Sequence, residues 1–269
     1  MRETGGEAAR DLTNSPESIA ARASGKSLFR RVWLAMGLRC LVPFALLLAV
    51  AGFRAARGNE DPFGRASAWW LWYLSAANAA SLLFLAAAAR REGLRMRDLY
   101  CARGSTWKGD LAWLAGFLLV SGVLSMVPGF LLAEAFWGGS SIPNNLLFGP
   151  LPEAAVYPLF LLVPAGQGLA ELPLYWGYAA PRLRASGLGR WRTILAVGAV
   201  LSLQHLFLSF RPDPLYTLWL AFRFLPFALW TGWVVDRRPT VLPYLMGAHA
   251  LLDAPLAVLA LMVSRGAVL

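Results

Sequence analysis

The chain has 269 residues, of which 58% are hydrophobic, whereas a typical soluble domain has roughly 45 to 50% apolar residues. It carries 25 Lys and Arg against 15 Asp and Glu, a formal net charge of +10, but the basic residues cluster between long apolar runs and do not mix with aromatic residues. The composition therefore argues against a soluble protein and against nucleic acid as a partner. It indicates that the lipid bilayer is the chain's main environment.

The N-terminal part of the chain predicts a polar tail followed by a single membrane domain. Residues 1–27 are polar and mixed in charge, with no apolar core of the signal-peptide type. We expect 1–30 to be a cytoplasmic tail, disordered or lying on the surface, and 31–269 to be the membrane domain. The only two cysteines, Cys40 in an apolar run and Cys101 in a basic loop, suggest neither a disulfide nor a cysteine metal cluster.

Seven apolar runs are long enough to cross a hydrocarbon core, which takes about 20 residues of helix. The predicted fold class is therefore all-α: a polytopic membrane helical bundle of about seven transmembrane helices. In chain order the runs are 33–54, 66–89, 111–135, 155–181, 191–210, 214–235 and 239–263.

The connections between these runs alternate in charge. Arginines cluster before the first run and after the second, fourth and sixth runs, whereas 133–158, between the third and fourth runs, contains no basic residue. Connections rich in Lys and Arg stay on the cytoplasmic side of a membrane. We therefore expect a multi-pass integral membrane protein, of the bacterial cell membrane, with its N-terminus in the cytoplasm.

Few ionisable residues lie deep inside the runs, and each is a functional candidate because such groups are costly in the bilayer centre. They are Glu171 in the fourth run, His205 in the fifth, Arg223 in the sixth, and His249 with Asp253 in the seventh. At about 1.5 Å of rise per helical residue, Glu171, both histidines and Asp253 reach a common depth near the membrane midplane. A shared polar site explains this placement.

The chemistry of these residues suits the activation of water. Glu171 is a candidate general base, and His205 and His249 are candidate proton donors or oxyanion stabilisers. His249 and Asp253 are four residues apart and so project from one helix face. Glu171, His205 and His249 are also donors that a divalent metal such as zinc accepts, so the sequence leaves open whether the site holds a metal.

Two arginines inside the runs carry different expectations. Arg39 lies two helical turns from Arg31, and we expect its side chain to extend to the cytoplasmic surface. Arg223 is in the middle of a run, where reaching the surface is difficult. We expect it to pair with Glu171 or Asp253, or to line a wet cavity.

The stretch 170–183 reads AELPLYWGYAAPRL. It resembles the first motif of the CPBP intramembrane proteases, also called the ABI family, which includes the type II CAAX prenyl endopeptidases. Glu171, Gly177 and Pro181 match that motif. Leu172 stands where the family has a second Glu, and Trp176 stands where it has an Arg.

Two further motifs follow in the family's order and approximate spacing. His205 ends the apolar stretch LSLQH, as in the second motif, and His249 with Asp253 fits the third, which is His, three residues, then Asn or Asp. The resemblance covers a protease-like core at about 155–263.

The resemblance implies an endopeptidase that cleaves a peptide bond near a membrane-embedded or lipidated segment of a protein or peptide substrate. Glu171 would activate the attacking water, and His205, His249 and Asp253 would hold and stabilise the oxyanion. Because the motif arginine is absent, Arg223 is the intramembrane residue expected to supply a supporting cation.

Two other interpretations remain open at this point. The loss of the second Glu and of the Arg fits a catalytically inactive relative that acts as a membrane scaffold or binds a partner. Ionisable groups near the midplane also fit a proton-coupled transporter, although no pair of Gly-broken helices is evident in the sequence.

Overall fold

The computed structural model describes residues 14–22, 26–100, 107–139 and 141–267, and all regular elements within these ranges are helical. Seven helical stretches are long and apolar enough to cross a membrane. This confirms the predicted all-α bundle and defines a multi-pass integral membrane protein. The seven spans, in chain order, are Leu28–Ala56, Trp70–Arg91, Trp107–Trp137, Glu153–Ala185, Arg190–Leu208, Pro214–Arg237 and Pro239–Ser264.

Fifteen α-helices build the described part of the chain, some of them consecutive segments of one span. They are α1 (Pro16–Arg22), α2 (Lys26–Ala56), α3 (Pro62–Ser67), α4 (Trp70–Arg91), α5 (Met96–Tyr100), α6 (Trp107–Trp137), α7 (Ser141–Leu147), α8 (Glu153–Val156), α9 (Leu159–Gly166), α10 (Ala180–Ala185), α11 (Arg190–Leu208), α12 (Pro214–Phe222), α13 (Leu225–Arg237), α14 (Leu242–Asp253) and α15 (Pro255–Ser264). A short 3-10 turn, Pro239–Val241, precedes α14.

Three spans are interrupted near their middle. The fourth continues from α9 through two π-helical segments, Gln167–Glu171 and Pro173–Ala179, into α10. The sixth breaks between α12 and α13, and the seventh breaks between α14 and α15. Pro226 in the first turn of α13 and Pro255 in the first turn of α15 account for the last two breaks, because proline cannot donate the backbone hydrogen bond that continues a helix. The sequence predicted no pair of glycine-broken helices, and these breaks at proline were not predicted.

Part of the predicted N-terminal tail is folded against the membrane domain. α1 packs on α10, and its Ile19 is buried. Just before α1, the Asn14 amide donates a hydrogen bond of 2.7 Å to the carbonyl oxygen of Gly177 in the π-helical part of the fourth span. The described part of the tail is therefore a docked helix, α2 begins at Lys26 inside the predicted tail, and residues 1–13 lie outside the described ranges.

Two clusters of buried apolar side chains fill the bundle, one on either side of its middle. The inner core includes Val32 and Val235, close to the Arg-rich ends of the spans. The outer core lies towards the opposite ends and includes Trp70 and Tyr216. All seven spans contribute to both cores. Five of them, the first, second, fourth, fifth and seventh, do so through Met36 and Leu47, Leu85 and Leu74, Leu172 and Val163, Leu201 and Leu208, and Met246 and Ala257, the inner-core residue first in each pair.

Candidate active site between the two cores

A layer of polar side chains separates the inner core from the outer core. In each of the five spans just described, these polar residues lie in sequence between the inner-core and the outer-core residue, so they share one level of the bundle. The predicted common depth of the candidate residues agrees with this arrangement. The layer contains Arg39, Asn78, Ser81, Gln167, Glu171, Gln204, His205, His249 and Asp253.

Glu171 is the centre of this layer, and its side chain is only 4% exposed. Its Oε2 atom accepts hydrogen bonds from Arg39 Nη2 at 2.6 Å, Gln204 Nε2 at 2.9 Å and Gln167 Nε2 at 3.3 Å. Its Oε1 atom lies 3.1 Å from His249 Nε2. One carboxylate oxygen is therefore held by three donors, while the other faces a single histidine among the described residues.

Arg39 is the cation that pairs with Glu171. The guanidinium also donates from Nε to Gln204 Oε1 at 2.7 Å, from Nη1 to Asn78 Oδ1 at 2.8 Å and from Nη2 to Gln167 Oε1 at 3.3 Å. The expectation that Arg39 extends to the cytoplasmic surface is therefore wrong. Acceptors from three other spans replace the water that the guanidinium would otherwise need, which is the condition for burying a charge.

His249 and Asp253 form the more accessible edge of the cluster. His249 Nε2 lies 3.5 Å from Asp253 Oδ2, as their spacing on one helix face predicts, and the two side chains are 11% and 18% exposed. Asp253 Oδ2 also accepts a hydrogen bond of 3.1 Å from Gln167 Nε2. Because His249 Nε2 has a carboxylate oxygen on both sides, it is placed to carry a proton and donate it.

His205 lies beside this group, without a hydrogen bond to Glu171. Its Nδ1 atom is 3.0 Å from the carbonyl oxygen of Ser202, so Nδ1 is the donor and Nε2 is left as the acceptor of the neutral ring. His205 is nevertheless near enough to interact electrostatically with Glu171. The structure thus brings Glu171, His249 and Asp253 into direct contact and places His205 next to them.

Arg223 does not form the pair expected from the sequence. It lies at the break between α12 and α13, and its guanidinium carbon is 4.0 Å from the ring centroid of Trp219 and 4.4 Å from that of Phe224. Its Nε and Nη1 atoms are buried and have no acceptor among the residues that the structure describes. The reason is competition, because Arg39 already pairs with Glu171, and Asp253 is already engaged.

The backbone of the fourth span brings the site together. Glu171 ends the first π-helical segment, and π-helical turns inside α-helices often occur at functional sites. Gly168, in the same segment, lies against α14: a Cβ atom there would come within 3.0 Å of the Met246 carbonyl oxygen. This close approach of the fourth and seventh spans allows His249 to reach Glu171.

The two departures from the CPBP motif are buried apolar residues. Leu172 and Trp176 both belong to the inner core. The Trp176 ring packs on Gly232 of α13 so closely that a Cβ atom there would lie 2.2 Å from it. Trp176 thus serves packing between the fourth and sixth spans, and the cation that pairs with Glu171 is Arg39 on the first span.

The three metal candidates are not arranged as a metal site. Within the described ranges, no group of three or more His, Cys, Asp or Glu side chains could hold a metal ion. Glu171 and His249 contact each other directly, and Arg39 already neutralises Glu171. A zinc ion would have to compete with that guanidinium, so this donor set does not fit zinc. Of the two cysteines, Cys40 is free and Cys101 lies outside the described residues.

The sequence predicted the carboxylates and histidines of the site but not most of their partners. Arg39, Asn78, Gln167 and Gln204 were not identified as members of the site. A signal was present, because each is a polar residue inside an apolar run at the depth of Glu171. Neutral amides are cheaper to bury than charges, which makes them easy to overlook.

Comparison with known proteins identifies no relative of the chain. No family model, no curated protein and no solved structure matches the chain. The resemblance to the CPBP proteases therefore stays a prediction from the three motifs.

Proposed function

We propose that the protein is an intramembrane endopeptidase of the CPBP/CAAX type that hydrolyses a peptide bond with water activated by Glu171. The observation that carries this proposal is the contact of 3.1 Å between Glu171 Oε1 and His249 Nε2, at the accessible edge of a buried polar layer. A carboxylate and an imidazole donor side by side in a low-dielectric site are the parts that such a hydrolysis needs.

Arg39 and the two glutamines leave Glu171 Oε1 as the atom that accepts a proton. Water bound at Oε1 gives up a proton to Glu171 while its oxygen attacks the carbonyl carbon of the scissile bond. His249 Nε2–H donates to the oxyanion that forms, and Asp253 Oδ2, which lies 3.5 Å from the same nitrogen, favours the proton on Nε2. The C–N bond then breaks as the proton held by Glu171 passes to the leaving amine nitrogen.

The position of the site supports a substrate that is itself in the membrane. Glu171 lies between two apolar cores of a seven-span bundle, so a soluble loop would have to cross apolar surface to reach it. A membrane-embedded or lipidated segment already lies at that depth. The Arg-rich span ends favour a cytoplasmic N-terminus in a bacterial cell membrane.

An inactive relative is the main alternative, and one observation favours it. Leu172 and Trp176 replace ionisable motif residues with buried apolar ones. A scaffold or partner-binding protein would not need the contact between Glu171 and His249, and it would retain its partner when that contact is removed.

A proton-coupled transporter is favoured by a different observation. The sixth and seventh spans are discontinuous beside the ionisable layer, and broken helices next to buried ionisable residues occur in transporters. This alternative predicts proton movement across vesicles that contain the protein, with no peptide product.

The experiment that tests the proposal compares wild-type protein with Glu171→Gln in detergent, using fluorogenic prenyl-peptides and a membrane proteome as substrates. We expect Glu171→Gln to lower cleavage by about 10²- to 10⁴-fold, the contribution of a general base. Glu134→Gln is the matched control, because Glu134 is exposed on α6 and should be dispensable. A folded Glu171→Gln protein that cleaves like wild type would overturn the proposal. Metal content is measured on all three proteins.

A further inference from the structure

We propose that Arg223 binds a carboxylate carried by the substrate, in a subsite next to the Glu171 cluster. This inference rests on the proposed function, because it assigns the substrate a feature that the catalytic residues do not recognise. The carboxylate comes from the C-terminus of the substrate or from an acidic side chain.

The first observation is that two of the three guanidinium nitrogens of Arg223 are buried without an acceptor among the described residues. Its Nε and Nη1 atoms are out of contact with solvent and donate to no acceptor in the described part of the chain. Buried polar groups in folded proteins are nearly always hydrogen-bonded, so each exception needs an explanation. The rings of Trp219 and Phe224 hold the guanidinium by cation–π contacts but offer no hydrogen-bond acceptor.

The second observation is the level of Arg223 in the bundle. On the sixth span, Leu220 belongs to the outer core and Ala228 to the inner core, so Arg223 lies at the level of the polar layer. The Phe224 ring that supports its guanidinium also packs on His205, with the ring centroids 4.4 Å apart. Arg223 and His205 interact electrostatically as well. The free cation is therefore a neighbour of the site.

The carboxylates of the chain itself at this level are already engaged. Glu171 accepts from Arg39, and Asp253 accepts from Gln167 and contacts His249. Trp219 offers no acceptor either, because its indole N–H is a donor and already donates to the Gly129 carbonyl oxygen at 3.0 Å. Within the described part of the chain no acceptor remains for Arg223 Nε and Nη1, and a bound molecule that carries a carboxylate would supply one.

A guanidinium fork selects planar or tetrahedral anions, namely carboxylates and phosphates. Lipid phosphates lie at the membrane surface, about 15 Å from the middle of a hydrocarbon core that is roughly 30 Å thick. A substrate segment bound for cleavage, by contrast, carries its carboxylate into the bundle. This difference in depth favours the substrate, and not a lipid, as the source of the anion that Arg223 binds.

The test measures binding by a shift in thermal stability and requires no catalysis. The probes are N-dodecanoyl-leucyl-leucine with a free carboxylate, the same molecule with a C-terminal amide, N-dodecanoyl-glutamyl-leucine amide and dodecyl phosphate. Wild type should bind both carboxylate probes roughly 10- to 100-fold more tightly than the leucyl-leucine amide, as expected for a charge-assisted hydrogen bond. Arg223→Gln should remove this preference.

Arg57→Gln is the matched control, because Arg57 also stacks on a phenylalanine ring, at 4.8 Å, but is exposed at the end of the first span. It should keep the preference for carboxylates.

Three results would each overturn the inference. They are equal binding of acid and amide by wild type, a preference that survives Arg223→Gln, and selective binding of dodecyl phosphate. If Arg223→Gln does not fold, the acid-to-amide comparison on wild type decides. Because hydrolysis is not read out, failure here is separable from failure of the proposed protease activity.

Discussion

Arg39 and Arg223 lie at the same level of the bundle, yet their surroundings are opposite. Arg39 donates to four side-chain oxygens at 3.3 Å or less, among them an ion pair of 2.6 Å with Glu171. Arg223 has two aromatic rings and no acceptor for its buried Nε and Nη1 atoms among the described residues. Arg39 is therefore part of the hydrogen-bond network of the fold, whereas Arg223 is, in our proposal, available to a ligand.

The difference follows from what the neighbouring spans offer. Arg39 faces Asn78, Gln167 and Gln204, which supply amide oxygens at the right depth. Arg223 faces Trp219 and Phe224. Burying a charge is costly where its hydrogen bonds are not replaced, so the two arginines should respond very differently to substitution.

The largest expected effect is on stability. Arg39→Met should lower the free energy of unfolding by about 3 to 5 kcal/mol, because it leaves the Glu171 carboxylate buried without its cation. Arg223→Met should cost at most about 2 kcal/mol, the upper range of a cation–π contact. Unfolding in mixed detergent micelles, followed by circular dichroism, measures both. Equal losses for the two variants would contradict the conclusion that the two arginines have different roles in the fold.

A second experiment separates the ion pair from the packing of Arg39. Glu171→Leu combined with Arg39→Met should be less destabilising than the sum of the single variants, with a coupling energy of roughly 0.5 to 3 kcal/mol. The physical reason is that the double variant leaves neither charge uncompensated. If the stability losses of the two single variants are strictly additive, Arg39 stabilises the bundle through its other partners alone.

The seven spans could be predicted because length and hydrophobicity alone determine them. The predicted run 214–235, for example, corresponds to the span Pro214–Arg237, and 239–263 corresponds to Pro239–Ser264. The π-helical segments of the fourth span were not predicted; they contain Gly168 and Gly177, which closely approach the backbone of Met246 and Leu99 in other elements. Such contacts are invisible until the spans are packed.

The site was predicted in part for a similar reason. Depth counting placed Glu171, His249 and Asp253 at one level, and the structure puts them in contact. Depth counting does not reveal which way a side chain points. Arg39 is close enough to the surface to reach it, and only the acceptors of three neighbouring spans direct it inwards.

Gly232→Ala tests the packing role of Trp176, the residue that stands where the CPBP motif has its arginine. A Cβ atom at this position would lie 2.2 Å from the Trp176 ring, and overpacking of this kind costs typically about 1 to 3 kcal/mol. Gly247→Ala in α14 is the control, because nothing lies within 4 Å of its added Cβ atom. Thermal unfolding should separate the two, and a neutral Gly232→Ala would argue against a packing role for Trp176.

The smallest expected effect is that of Tyr175→Phe, at the outer limit of the Arg39 network. The Tyr175 hydroxyl donates to Gln204 Oε1 at 3.1 Å, an oxygen that Arg39 Nε also uses at 2.7 Å. Loss of one of two donors leaves that oxygen bonded, so the cost should be close to the net value of one neutral hydrogen bond, about 1 kcal/mol. Cleavage should fall far less than in Glu171→Gln. A loss as large as that of Arg39→Met would show instead that Gln204, held by Tyr175, positions the ion pair.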